Sequence, residues 1–142
     1  MNLSARTEYA CVAMLELSAN FGSGEPIQIR RIADAHGIPS RFLVQILLQL
    51  KGAGLVNSTR GASGGYRLSK DPAEITLGVV MSVIDGQVEE VVSGMTRETP
   101  ASVALFETWN AVAAVQRDML ESVTLADLLE RAAGRAENMY YI

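Results

Sequence analysis

Cysteine and histidine are almost absent from this chain of 142 residues, which contains one of each, Cys11 and His36. A single thiol excludes an internal disulfide and fits a reducing compartment. Cys11 lies within an apolar helical stretch, where we expect a buried structural thiol rather than a reactive one. His36 precedes a glycine at a predicted helix end, where a C-terminal cap is expected. Two such residues exclude most nucleophilic triads and leave a metal site without ligands.

Long apolar runs and enzyme motifs are also missing. No stretch is apolar over the length of a membrane span, and Arg6, Glu8 and Glu16 interrupt the first twenty residues, so neither a membrane segment nor a secretory signal is expected. The segment GASGG lacks the spacing of a P-loop or a dinucleotide fingerprint, and the HExxH and GxSxG patterns do not occur. We therefore expect a cytoplasmic protein that is not an enzyme and has no membrane partner.

Charge is divided unevenly between the two halves of the chain. Hydrophobic residues make up 49% of the sequence, which is enough for a core, and the formal net charge is −4. Residues 1–70 contain eight basic and four acidic residues, whereas residues 71–142 contain four basic and twelve acidic ones. A phosphate backbone is attracted by a local basic face and repelled by an acidic one. The split therefore favours nucleic-acid binding in one orientation, with a chance distribution as the alternative interpretation.

The first half of the chain predicts three helices joined by short turns. Ser4 is the candidate N-cap of the first helix, and residues 27–36 and 41–53 form the second and third. Ile38-Pro39-Ser40 is the turn between the last two, with Ser40 as a candidate cap. Helical spacing predicts that one face of the third helix points inward. That face consists of Phe42, Leu43, Ile46, Leu47 and Leu50.

The third helix is the candidate groove reader. In a helix-turn-helix, the second helix exposes its N-terminal residues to base edges while its other face packs inward. Arginine can bind guanine through two hydrogen bonds, and glutamine can do the same with adenine. An ordinary solvated helix face is the alternative interpretation. The exposed candidates are Ser40, Arg41, Val44, Gln45 and Gln49.

A hairpin with a glycine-rich basic tip follows the third helix. Leu55-Val56 leads into residues 57–60, and Tyr66-Arg67-Leu68 returns after the segment GASGG. Glycines allow a positive φ and close backbone approach, so this wing can lie flat against a phosphate. The guanidinium of Arg60 can also approach a narrow minor groove, although a surface arginine on a loop would have the same sequence. The candidate DNA contacts of the wing are Thr59, Arg60, Ser63 and Gly64.

The second half of the chain predicts three further helices and a loop. Thr76 is the candidate cap of the helix LGVVMSVID, and residues 86–100 are the least structured stretch. One long helix is predicted over residues 101–122, and Thr124 caps a last helix, LADLLERAAG. The long helix has a broad apolar face that must pack on another surface. Trp109 on this face is a candidate anchor of a helix–helix interface, or the wall of a ligand pocket.

These motifs together resemble the Rrf-two family of bacterial winged-helix transcriptional regulators. The resemblance covers nearly the whole chain, and the family-specific pattern GLV..(S/T).RG..GGY.L reads here GLVNSTRGASGGYRL. Other matching segments are LSARTEYACVAML, IADAHGIPSRFLVQIL and TLADLL. The resemblance implies a homodimeric transcription factor that binds a palindromic operator in double-stranded DNA. It also implies that the long helix crosses to the partner subunit, with Leu105, Trp109, Val112 and Met119 as candidate dimerisation residues.

The chain departs from the family's pattern at two places. Iron–sulfur members carry three cysteines in the loop before the long helix, but QVEEVVSGMTRETPASVALF contains none, and Phe106 stands about where those members place a histidine ligand. Because a cluster needs thiolate or imidazole ligands, we expect a cysteine-poor member with no iron–sulfur cluster and no other cofactor. In the reading helix, Val44 stands where the family often has a glutamate, so an acceptor for cytosine is missing.

We therefore predict a mostly α fold with a small β wing: a winged helix-turn-helix plus a long C-terminal dimerisation helix. The expected divisions are a DNA-binding domain over residues 1–85, a cysteine-free loop over 86–100, and the long helix and last helix over 101–142. The predicted function is a sequence-specific, homodimeric transcriptional regulator that acts as a repressor. The alternative is a winged-helix protein-interaction module that has lost DNA binding. Three signals stay open: an unknown small molecule between the wing domain and the long helices, a partner protein, and oxidation of Cys11.

Overall fold

The computed structural model describes residues 2–86 and 92–140, and over these ranges the chain is mostly helical with one small sheet. Two short 3-10 turns, Phe21–Ser23 and Pro72–Glu74, lie between the longer elements. The predicted fold class is confirmed. In chain order the elements are α1 (Ala5–Ala19), α2 (Ile29–His36), α3 (Ser40–Gly52), β1 (Val56–Thr59), β2 (Gly65–Leu68), α4 (Leu77–Asp85), α5 (Pro100–Ser122) and α6 (Leu125–Tyr140).

Helix α1 lies at the centre of the packing. The side chain of Ser4 caps it, as predicted, by accepting a hydrogen bond from the Thr7 amide at 3.1 Å. The helix contacts α3, α4 and α6. Ala10 and Ala13 are fully buried, and such small side chains allow the neighbouring helices to approach closely. The buried apolar residues of α1 are Ala10, Ala13, Met14 and Leu17.

Helices α2 and α3 form the helix-turn-helix. Gly37 ends α2 in the left-handed conformation, with φ 65°, and Ile38 in the turn is buried. The predicted inward face of α3 is buried except for Phe42, which is half-buried with its ring centroid 5.9 Å from that of Tyr9. The prediction that Ser40 caps α3 is wrong. Pro39 occupies the N-cap position in an extended conformation, so Ser40 is the first helical residue.

The two strands form an antiparallel hairpin in which Val56 pairs with Leu68 and Thr59 with Gly65. Val56 and Leu68 are buried, and β1 contacts α3 while β2 contacts α1, so the base of the hairpin is part of the core. Towards the tip, the residues of β1 are exposed. The hairpin therefore projects from the core as a wing.

Helices α4 and α5 pack against each other. Thr76 caps α4 as predicted, by accepting from the Val79 amide at 3.1 Å. Thr99 caps α5 in a reciprocal pair with Ser102, and Pro100 occupies the first turn. A Cβ on Gly78 would lie 3.2 Å from the backbone of Leu120. The absence of a side chain at Gly78 is what allows α4 and α5 to come this close.

Helix α6 returns the chain to the core of the first half. Leu125 is fully buried, and its amide donates to the Ile75 carbonyl at 2.9 Å. The Thr124 amide donates to Asp127 at 2.9 Å, and this hydrogen bond keeps the pKa of that carboxyl below its ordinary value. The predicted helix LADLLERAAG was too short. Gly134 keeps an ordinary negative φ, so α6 continues to Tyr140.

The expected division into residues 1–85, 86–100 and 101–142 stays a prediction. Residues 87–91 of that loop, and the last two residues of the chain, lie outside the described residues. Residues 92–98 form no regular helix or strand. None of the helices in the described ranges has the length and apolar character needed to cross a membrane.

Candidate nucleic-acid interface

The outer face of α3 carries the five residues predicted to read DNA. Ser40, Arg41, Val44, Gln45 and Gln49 are all exposed, while the opposite face of the helix is packed into the core. Val44 has 44% of its surface accessible, although it is apolar. A buried inner face holds the helix rigidly, so that the outer side chains have a defined position relative to a groove. The structure therefore brings these five candidates together on one surface, and their contacts with DNA stay a prediction.

Leu48 belongs to the same surface and was not among the predicted contacts. It is 55% exposed, one turn after Val44. Its helical spacing from Val44 could have placed Leu48 on the exposed face of α3. The same sequence is also compatible with a leucine that faces the core. With Val44, Leu48 forms an apolar strip that runs beside Gln45 and Gln49 along the helix. Apolar side chains in a major groove favour contact with the methyl group of thymine.

Two of the polar side chains on α3 are held by neighbours within the protein. The guanidinium carbon of Arg41 lies 5.0 Å from the centroid of the Phe42 ring, a cation–π contact. The amide oxygen of Gln49 accepts a hydrogen bond from the guanidinium of Arg6 on α1. Because that oxygen is engaged, the Gln49 NH₂ group is directed away from Arg6 and remains as a donor. Arg41 and Phe42 are adjacent in the sequence, whereas Arg6 and Gln49 are brought together only by the packing of α1 against α3.

Arg60 lies at the start of the wing tip and is exposed. No hydrogen bond or ion pair with another described residue holds its guanidinium. The neighbouring candidates Thr59 and Ser63 are exposed as well. Gly61 has a φ of 105°, which a side chain would disfavour, and it lets the chain reverse immediately after Arg60. The wing thus presents Arg60 at the edge of a tight turn.

Gly64, also predicted to touch DNA, is buried. A Cβ at this position would lie 2.1 Å from the Thr59 carbonyl oxygen, and the Gly64 amide donates to the Gly61 carbonyl at 3.0 Å. The residue therefore closes the turn from within. Gly64 is needed for the shape of the wing turn, and little of its surface is accessible to a phosphate.

Several contacts fix the wing to the helix-turn-helix. Ile27, which precedes α2, pairs with Tyr66 through two backbone hydrogen bonds of 2.8 Å. This isolated antiparallel bridge places Ile27 beside β2, on the side where a third strand would lie. A Cβ on Gly65 would lie 2.4 Å from the Ile27 carbonyl oxygen, so this pairing needs a glycine there. Three side-chain hydrogen bonds reinforce the attachment of the wing. They join Gln28 to the Ala62 carbonyl at 2.9 Å, Lys51 to the Ser58 hydroxyl at 2.6 Å and Arg67 to the Gly24 carbonyl at 3.2 Å.

Helix α5 has an apolar face with no cover in the described chain. Trp109 and Leu105 are 61% and 63% exposed, and none of the residues of α5 is buried. The four predicted dimerisation residues are spaced by four, three and seven positions, so they lie on one side of the helix. Val115 is exposed as well and was not predicted. The residues predicted for dimerisation, all of them exposed, are Leu105, Trp109, Val112 and Met119.

A cleft of about 930 Å³ runs along the packed pair of helices α4 and α5 and is lined by residues of both. Its volume lies in the range of small-molecule sites. Val79 and Leu120 contribute apolar surface, and Asp85, Arg117 and Glu121 contribute charges of both signs. The cleft is lined both by α4, which lies within the predicted DNA-binding domain, and by α5. It therefore lies in the region where the sequence analysis left open a small-molecule effector.

The described residues offer no group of three or more histidine, cysteine, aspartate or glutamate side chains that could hold a metal ion. Cys11 is partly buried on α1, and burial, followed by the negative charge of Asp85, raises the pKa of its thiol to about 11. His36, the last residue of α2, lies 3.1 Å from a carboxylate oxygen of Glu16. The predicted C-terminal position of His36 is confirmed, and its ring joins α2 to α1.

Comparison with known proteins identifies the chain. The family model described as Rrf2, iron-dependent transcriptional regulator, matches residues 3–131. The chain belongs to the Rrf2 family. As a member of this family of regulators it is a transcriptional regulator that binds DNA and is not an enzyme. The resemblance to the Rrf-two regulators is thereby confirmed.

Individual Rrf2 proteins are similar over the full length of the chain. The HTH-type transcriptional regulator CymR of Bacillus subtilis is 34% identical over 143 residues, which is all of both chains. The solved structure of CymR, described as the global cysteine regulator of B. subtilis, has a TM-score of 0.82 at 32% identity and covers 92% of this chain and 98% of its own. A structure of IscR from T. potens has a TM-score of 0.74 at 30% identity, with 93% and 88% covered. Both neighbours have the same winged-helix architecture.

The family description names iron, and the residues of this chain do not fit an iron–sulfur cluster. The segment before α5 contains neither cysteine nor histidine, and Phe106 of α5 is half-buried and cannot coordinate a metal. The lone thiol, on α1, has a raised pKa, which opposes the thiolate that a cluster requires. The segment before α5 therefore supplies neither a thiolate nor an imidazole ligand.

Proposed function

We propose that this Rrf2 protein is a homodimeric repressor that binds a palindromic operator. The observation that carries the proposal is that the outer face of α3 and the wing both expose polar side chains, among them Arg41 on α3 and Arg60 on the wing. Each subunit would place α3 in a major groove and the wing against the adjacent backbone or minor groove. Two such surfaces related by a two-fold axis would match two half-sites of inverted sequence.

The apolar face of α5 supports the homodimer. One side of α5 exposes a tryptophan, a leucine, a valine and a methionine to water, which is unfavourable. A second copy of the same face can cover this apolar surface. The acidic second half would then lie between the two DNA-binding halves and away from the phosphates. DNA would be bound in one orientation.

Selection of genomic fragments by the purified protein tests this function. We expect recovered fragments to share an inverted repeat and to lie at promoters. Loss of the gene should raise the transcripts beside these sites if the protein represses them, whereas lower transcripts would indicate an activator. Val44 makes it unsafe to transfer an operator from family members with glutamate at this position, so the selection must begin without a chosen sequence.

A winged-helix module that binds another protein is the alternative, and the apolar strip formed by Val44 and Leu48 is the observation that favours it. Salt dependence separates the two. Binding to DNA should weaken steeply as salt rises, because each phosphate contact releases counterions. Binding to a protein through an apolar strip should change little over the same range.

We propose that the protein works without an iron–sulfur cluster or other cofactor. Protein purified without oxygen should show no broad visible absorbance and should contain no acid-labile sulfide. The same preparation should bind the selected DNA as well as protein supplied with iron and sulfide. A visible band that accompanies DNA binding would contradict the proposal.

The regulatory signal is proposed to be a small molecule in the cleft between α4 and α5. A ligand there would contact both the DNA-binding half and the dimerisation helix, so that it could change the angle between them. Asp85 and Glu121 favour a cationic group and Arg117 an anionic one, which together suit a small zwitterion. A protein partner is the second possibility. Oxidation of Cys11 is the least favoured, since burial holds the thiol in its unreactive protonated form.

Cys11 should react slowly while the protein is folded. A thiol with a pKa of about 11 holds roughly 100-fold less thiolate at pH 8 than an unfolded thiol of ordinary pKa. We therefore expect alkylation by iodoacetamide, followed by mass spectrometry, to be about 100-fold slower in the native protein than in urea. Because the folded-state pKa is raised, the thiol favours the folded state below pH 9, and this contribution is lost as the pH rises towards 11. Equal alkylation rates in the native and the urea-unfolded protein would make oxidation of Cys11 a candidate signal again.

The proposed location is the cytoplasm, where a DNA-binding regulator meets its operator. The single cysteine suits a reducing compartment. No membrane partner is proposed. Fractionation of cells should recover the protein with the nucleoid at low salt and release it as salt is raised.

A further inference from the structure

Gln28 lies between the first 3-10 turn and α2, at the N-cap position of that helix. Glutamine is not a preferred capping residue, and its side chain makes no capping hydrogen bond here. Its NH₂ group instead donates to the Ala62 carbonyl in the wing tip at 2.9 Å, across 34 positions of the sequence. The side chain therefore connects the helix-turn-helix to the wing.

The backbone beside Gln28 is fixed independently of this bond. The two hydrogen bonds between Ile27 and Tyr66 hold the preceding residue against β2. Gly65 allows this pairing because it has no Cβ to clash with Ile27. The Gln28 side chain thus extends from a rigid base towards the tip.

The tip itself has little internal support. It turns through Gly61, with φ 105°, and closes with the Gly64 amide bonded to the Gly61 carbonyl at 3.0 Å. Glycine-rich turns sample many conformations, and ordering them on binding costs free energy. Ala62, the acceptor of the Gln28 bond, comes only two residues after Arg60. A bond to this carbonyl restricts the turn from which Arg60 projects.

We propose that Gln28 is a positioning residue for the wing, which holds Arg60 in its DNA-binding orientation before DNA arrives. Preorganisation of a binding loop raises affinity because less ordering remains to be done in the complex. This inference rests on the proposed contact of Arg60 with DNA. In addition, we infer that the wing sequence alone does not fix the orientation of Arg60. The side chain of Gln28, in the segment before α2, contributes to it.

A double-mutant cycle tests the proposal on the full-length protein and a DNA fragment recovered by the genomic selection. Gln28→Ala should weaken binding by about 2- to 10-fold, the worth of one partly exposed hydrogen bond. In an Arg60→Ala background the same substitution should have almost no effect, since Gln28 acts through that arginine. Gln28→Met, which has nearly the same length and no charge but cannot donate, should behave like Gln28→Ala.

Hydrogen exchange of the free protein gives a readout that does not involve DNA. The Gly64 amide should exchange faster in Gln28→Ala, while amides of α1 and α3 and the melting temperature stay unchanged. Asn20→Ala is the matched control, because Asn20 also donates an amide proton to a backbone carbonyl, that of Glu16, at 2.9 Å, but at the C-cap of α1. It should leave both DNA affinity and Gly64 exchange unchanged.

The outcomes separate this inference from the proposed function. If Arg60→Ala weakens binding and Gln28→Ala does not, Gln28 is not a positioning residue and the wing function stands. If Gln28→Ala weakens binding equally in both backgrounds, Gln28 touches DNA directly and the inference fails. If Arg60→Ala has no effect, the wing contact itself is wrong.

Discussion

Replacement of Arg60 by alanine is expected to weaken binding to the operator by about 10- to 100-fold while the fold stays intact. The residue is exposed at the edge of the wing turn, and its guanidinium has no partner among the described residues, so its removal should not cost folding free energy. What is lost is its contact with a phosphate or a narrow minor groove. Fluorescence anisotropy of labelled operator at physiological salt measures the change. The slope of log affinity against log salt should fall by about one for each arginine that contacts a phosphate.

Two further variants make the Arg60 result specific. Arg60→Lys keeps the positive charge but loses the planar guanidinium, so partial recovery would indicate a phosphate and little recovery a minor-groove contact. Arg135→Ala removes the same charge from the exposed surface of α6, in the acidic half of the chain, and should leave affinity unchanged. Equal affinity of Arg60→Ala and the unaltered protein would show that Arg60 does not contact DNA.

Replacement of Trp109 by glutamate is expected to raise the dissociation constant of the proposed homodimer by at least about 30-fold, because a buried aromatic anchor of an interface contributes about 2 kcal/mol or more. Trp109 lies in the middle of the exposed face of α5 and is 61% accessible in the single chain. A charge there would be buried in the dimer without a partner. Sedimentation over a range of concentrations measures the change. Affinity for a palindromic operator should fall in parallel, since a monomer contacts one half-site.

Asn110→Glu is the matched control for Trp109. It adds the same charge one residue further along α5, about 100° around the helix axis and away from the apolar face. The unaltered protein offers a second measurement, because Trp109 is its only tryptophan. Its emission should shift to longer wavelength on dilution, as the indole becomes exposed. A monomer at all concentrations, or a dimer unaffected by Trp109→Glu, would exclude α5 as the interface.

The helices and their caps could be predicted because they depend on local chemistry. Ser4, Thr76 and Thr124 each cap a helix where the sequence placed one, and Gly37 ends α2 as expected. The errors have local reasons as well. Pro39 takes the position expected for Ser40, and Gly134 stays helical because glycine permits a C-cap without requiring one.

Contacts between distant residues could not be predicted in this way. Gln28 and Ala62 are 34 positions apart, and Arg6 and Gln49 are 43 apart, so no periodicity or spacing relates them. The exposure of Leu48 and the burial of Gly64 also depend on what surrounds each residue in space. These features explain how the interface is held, and they appear only after the helices and the hairpin have packed.

The amino-acid sequence was sufficient to specify the kind of protein. Apolar spacing, capping residues and the glycine-rich basic hairpin are properties of neighbouring residues, and they define a winged helix and the surface it offers to DNA. Packing was needed to establish three further features: the rigid attachment of the wing through Ile27 and Gln28, the uncovered face of α5, and the cleft between α4 and α5. The physical reason is that burial and hydrogen bonding join residues by their distance in space, which the order of the chain does not contain.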